Sequence, residues 1–66
     1  MENNLKEIRE QKGLSQLKLS YETRISPPDI SKIERNKIFP HPKWREKIAR
    51  VLEVEEKDIF PGIDKG

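Results

Sequence analysis

Residues 26–37, "SPPDISKIERNK", set two prolines at the mouth of a helix-forming run and follow them with Lys32, Arg35 and Lys37. Ser26 has the side chain of an N-cap and Asp29 stands three positions later, so the run predicts a helix beginning at Pro27. Proline is tolerated there because the N–H it lacks would have no helical partner and its φ is already set. At about 100° per residue, Ile30 and Ile33 lie on the side opposite Pro28 and mark the inner face. Ser31, Lys32 and Arg35 face away, and Glu34 sits on the border. Asn36 tolerates a left-handed backbone and predicts the stop. The result is a short helix with an apolar inner face, a basic outer face and a rigid first turn.

The flanking sequence says what such an element belongs to. Upstream, Ser15 predicts the N-cap of a helix that carries Gln16 in its first turn and ends near Thr23. Periodicity leaves its inner face open: Leu17 with Tyr21 makes one stripe, and Leu19 with Ser20 and Thr23 makes another. This helix, a turn of about three residues and the Pro27 helix have the spacing of a helix-turn-helix. Further upstream, Asn4 and Glu7 have the form of a capping box and Gly13 is a natural stop, which predicts a helix from Leu5 to Lys12. Leu5 and Ile8 share a face of it with Arg9. An inward arginine needs a carboxylate, and Glu34 lies on the border that faces it.

Downstream, residues 38–41 read as a connector and Pro42 as the first position of a fourth helix, striped with Trp44, Ile48, Val51 and Leu52. A short fifth helix from Glu56 to Phe60 is closed by Pro61 and Gly62. No strand pattern and no internal repeat is present. The fold class is all-α, five short helices.

Sixty-six residues allow one domain over 1–66 and leave little room for an enzymatic cleft. Charged residues make up 39% of the chain, well above the roughly 25% of ordinary globular chains. Charge is unevenly placed: residues 15–47 carry eight basic and four acidic groups, residues 48–66 three basic and five acidic. A basic centre beside an acidic end points to an anionic partner for one face. There is no cysteine, so neither disulfides nor thiolate metal sites are expected. No apolar run approaches about 20 residues, which predicts no membrane span and a cytoplasmic protein. His41 is the only histidine and has no second ligand at metal spacing, so no metal is expected. No nucleophile, cofactor motif or small-molecule effector site is evident, and no enzyme is expected.

Three segments, "LKEIREQKGLSQ", "ISPPDISKIERNK" and "KIARVLEVEEKDIF", together resemble the Xre-type helix-turn-helix domain, the family of phage lambda repressor and Cro. The likeness spans residues 5–60 and leaves 61–66 as a short tail. It implies a compact, five-helix, lambda-repressor-like domain that binds double-stranded DNA as a sequence-specific regulator. The expected mode is repression, by a homodimer on a two-fold symmetric operator. It also implies that Leu19 and Ser20 face the core and that Arg9 and Glu34 form an interior ion pair. Base-facing positions implied are Pro27, Pro28, Ser31 and Lys32. Phosphate-facing positions are Ser15, Gln16, Arg35, Lys37 and Lys43. Phe60 and Ile63 are the candidate dimer interface.

Departures from the family's pattern fall at three places. Arg24 stands where glycine is frequent in the turn. Arg45 stands where helix 4 usually has leucine, leaving Trp44 to supply that packing. Pro27 and Pro28 stand where relatives place Gln, Ser or Arg. Proline side chains cannot donate, so the expected site is read partly by apolar contact with thymine methyls and by DNA shape, with Lys32 the main hydrogen-bonding reader. A different class of function also fits, a protein-interaction module such as an antitoxin-like or adaptor domain that uses exposed Leu17 and Tyr21.

Overall fold

The computed structural model describes residues 3–62. Five helices form: α1 (Leu5–Gln11), α2 (Gln16–Thr23), α3 (Pro27–Glu34), α4 (Pro42–Leu52) and α5 (Glu56–Ile59). No strand occurs among the described residues. The expected all-α class is therefore the observed one, with α1 ending at Gln11 and α5 at Ile59.

Capping chemistry sets most boundaries. Ser15 Oγ accepts from Lys18 N at 3.0 Å, and Ser26 Oγ accepts from Asp29 N at 3.3 Å. Three helices end on a left-handed residue, Gly13 (φ 76°), Asn36 (φ 60°) and Glu53 (φ 59°). Each end is closed by the same pair of backbone bonds, such as Lys37 N to Lys32 O at 2.8 Å with Asn36 N to Ile33 O at 3.1 Å. These bonds satisfy carbonyls that the helix itself leaves orphaned. Arg24 is also left-handed, at φ 64°, as expected for a residue in the place of glycine. A side chain there costs about 1–2 kcal/mol.

The capping box expected at Asn4 is not formed: Asn4 is the N-cap but its side chain makes no cap bond. Asn3 takes that role, its Oδ1 accepting from Leu5 N at 2.9 Å. Asn4 is drawn away by the far end of the chain, its Nδ2 donating to Asp58 O at 3.1 Å and its backbone N to Ile59 O at 2.8 Å. The capping box occurs instead at α5, between Glu55 and Asp58.

One core forms where the inner faces meet, from Leu5, Leu19, Ile25, Ile30, Ile33, Ile48, Leu52, Ile59 and Phe60, with Trp44 and Val51 packed on its edge. The ambiguity of α2 is resolved: Leu19 and Ser20 are buried, whereas Leu17 is 70% and Tyr21 76% exposed. Ser20 is accepted in the interior because its hydroxyl donates to the Ile25 carbonyl, and Thr23 Oγ1 donates to Leu19 O at 2.8 Å. A hydroxyl so paired escapes most of the penalty of burial.

Phe60 belongs to the same core. It is only 1% exposed and its ring meets Phe39 edge-on with centroids 5.7 Å apart. Phe60, expected as a dimer-interface candidate, lies in the core of the single chain. Ile63 lies outside the described residues.

Candidate nucleic-acid interface

α3 is held at its C-terminal end by a buried ionic network. Arg9 Nε lies 2.6 Å from Glu34 Oε2, with the Arg9 side chain 8% and the Glu34 side chain 3% exposed. Arg9 Nη1 also donates to Leu14 O at 2.7 Å, and Gln16 Nε2 donates to Glu34 Oε1 at 2.8 Å. One carboxylate thereby joins α1, the mouth of α2 and the end of α3. Such a network fixes geometry more than it adds stability, since desolvation offsets most of the Coulombic gain. Among the described residues, no buried side-chain nitrogen or oxygen lacks a partner.

The same C-terminal end of α3 is tied a second time. Asn3 Nδ2 donates to Ile33 O at 2.8 Å and to Asn36 Oδ1 at 2.9 Å. Ile30 and Ile33 are fully buried beneath. With its C-terminal end anchored twice and its inner face packed, α3 has one surface left, the outer one.

Onto that surface project Pro27, Pro28 and Lys32, all exposed, with Ser31 half-buried beside them. Arg35 at the C-cap, Lys37 beyond it and Lys43 in the first turn of α4 are exposed too. None of Lys32, Arg35, Lys37 and Lys43 is in an ion pair among the described residues, whereas Lys18, Arg50 and Lys57 are paired with Glu22, Glu46 and Glu55. Uncompensated cations at the flanks of a protruding helix make an electrostatic footprint for a polyanion. Ser15 and Gln16 stand at the mouth of α2, where the N–H groups of Gln16 and Leu17 have no intrahelical acceptor. Gln16 is half-buried, since one donor of its amide is engaged by Glu34.

Two contributors escaped the sequence reading. Gln16 is expected at a phosphate, and its inward bond to Glu34 is additional; the one signal for it is that a carboxylate already matched to Arg9 has spare lone pairs. Arg45 was read as a lost leucine. Its guanidinium instead lies 5.1 Å from the Phe39 ring centroid, donates to Pro40 O at 2.8 Å and reaches Glu56 Oε1 at 3.2 Å. It therefore holds the connector that carries Lys37 against α4 and α5. Its partner is eleven positions away, beyond any local pattern.

Among the described residues no cluster of three or more His, Cys, Asp or Glu could hold a metal ion, and no helix is long and apolar enough to cross a membrane. Exposed Tyr21 borders a shallow concavity of about 450 Å³ lined also by Ser20, Arg24, Ile25 and Ser26.

Comparison with known families matches residues 3–65 to one described as a helix-turn-helix domain. No curated protein matches the chain.

Proposed function

From a chain that belongs to the helix-turn-helix domain family, a domain found in Xre-like and Cro-like DNA-binding regulators, we propose a sequence-specific transcriptional regulator that acts in the cytoplasm. α3 enters the major groove, where each base pair shows a distinct edge. Pro27, Pro28, Ser31 and Lys32 face the bases. Ser15 and Gln16 with the mouth of α2 meet one phosphate strand, and Arg35, Lys37 and Lys43 the other. The observation that carries this reading is the unpaired cationic outer surface of an α3 whose C-terminal end is tied down. Repression follows as the expected mode, by occlusion of the bound site.

A single module of this size buries little DNA surface, and two copies on a two-fold symmetric site supply the missing contact. Removing residues beyond Asp58 does not test that arrangement, because it deletes the core ring of Phe60. Sedimentation of the whole chain with and without duplex does.

Selection of duplexes from a random pool at moderate salt tests the function. The expected result is a two-fold symmetric motif with half-sites about one helical turn apart. A second reading is favoured by the exposure of Leu17 and Tyr21, a protein-interaction module with weak DNA binding. Salt-sensitive bulk binding with no motif would select it.

A further inference from the structure

The first turn of α3 has no hydrogen-bond donor to offer. Pro27 and Pro28 have no N–H. Asp29 N is spent on Ser26 Oγ (3.3 Å), Ser26 Oγ on Asp29 Oδ2 (2.9 Å), and Ile30 N on Ser26 O (3.0 Å). A helix N-terminus ordinarily attracts phosphate through free N–H groups. Here they are absent or consumed, and the Asp29 carboxylate adds repulsion. What remains exposed is two adjacent pyrrolidine rings, and Ser31 and Lys32 follow as the next polar groups.

Resting on the DNA-binding reading above, we infer that the mouth of α3 reads the 5-methyl group of pyrimidines, taking thymine and 5-methylcytosine alike. In the major groove the thymine methyl is the one apolar feature of the four natural base pairs. Cytosine methylated at C5 places the same group at the same position. A surface that can neither donate nor attract phosphate, and that shows two pyrrolidine rings outward, gains from such a group. The chain therefore distinguishes methylated from unmethylated cytosine at the positions under Pro27 and Pro28, a discrimination that hydrogen bonds cannot supply, because methylation at C5 leaves the donors and acceptors of the base edge unchanged.

The test is equilibrium binding of the full chain, by fluorescence anisotropy, to its selected duplex with each thymine replaced in turn by deoxyuridine, which removes only the methyl. One or two adjacent positions per half-site are expected to lose about four-fold in affinity per methyl, the worth of one buried carbon. At those positions 5-methylcytosine is expected to bind about four-fold tighter than cytosine. In a Pro27→Ala, Pro28→Ala double variant, with helicity checked by circular dichroism, both ratios should fall toward one. A selected motif without thymine, or one in which no uracil substitution weakens binding, overturns the inference and leaves the DNA-binding reading standing. So does a methyl dependence that survives in the double variant. Should that variant not fold, the uracil scan on the native chain decides alone. Failure to select any motif removes both readings together.

Discussion

The mouths of α2 and α3 are built from the same part, a serine whose Oγ accepts from the residue three positions on, yet they are chemically opposite. At α2 the cap is followed by Gln16 and Leu17, whose N–H groups remain unspent, and by an amide that bridges to Glu34. At α3 it is followed by two prolines and a carboxylate that closes back on the cap. One mouth is suited to an anion and the other excludes it. A helix-turn-helix needs both, because phosphate contacts fix the register while base contacts choose the sequence. On the proposed reading, that division of labour falls to two helix termini only eleven residues apart.

Breaking the link between the two mouths should have the largest effect. Arg9→Met leaves the Glu34 carboxylate buried without its cation, and the expected loss is about 3–5 kcal/mol, read by urea denaturation. That is comparable to the whole stability of so small a domain. The double variant Arg9→Met, Glu34→Met should recover most of it, since paired apolar replacement removes the buried charge altogether.

Next come the reading positions. Lys32→Ala is expected to lose about 1–3 kcal/mol of affinity for the selected duplex and to relax specificity at one base pair. Lys37→Ala should instead weaken all duplexes alike and lower the log-log salt slope by about 0.9. An adaptor that does not read DNA would show neither pattern. Ser26→Ala removes the cap of the closed mouth and should destabilise by about 1 kcal/mol, measured in the same denaturation experiment. The smallest effect is a gain: Arg24→Gly relieves the left-handed strain and should stabilise by about 1 kcal/mol at most, without changing the salt slope if Arg24 lies off the DNA.

Much of this was legible in local chemistry. Ser15 and Ser26 announced their helices, Gly13 and Asn36 their stops, and the angular position of Glu34 pointed at Arg9. Where reading failed, the cause was distance along the chain. Asn4 has a good local partner in Glu7, but Asp58 and Ile59 outbid it from 54 and 55 positions away. Phe60, apolar and near the end of the sequence, looked like an interface residue until Phe39 and the core were seen around it. Arg45 occupied a leucine's place and was read as a vacancy, whereas its guanidinium does by hydrogen bonds and ring stacking what a leucine does by packing. On α2, two apolar stripes of similar length competed, and only the tertiary fold chose between them.

The bonds from Asn4 to Asp58 and Ile59 also bear on how the protein comes into being. Asn4 waits for Asp58 and Ile59, so on a translating ribosome α1 can meet α3 through Arg9 and Glu34 but its first turn is not closed until α5 has cleared the exit tunnel. Folding is therefore expected to finish late, and arrested nascent chains that stop short of Ile59 should be more open to protease than the whole chain.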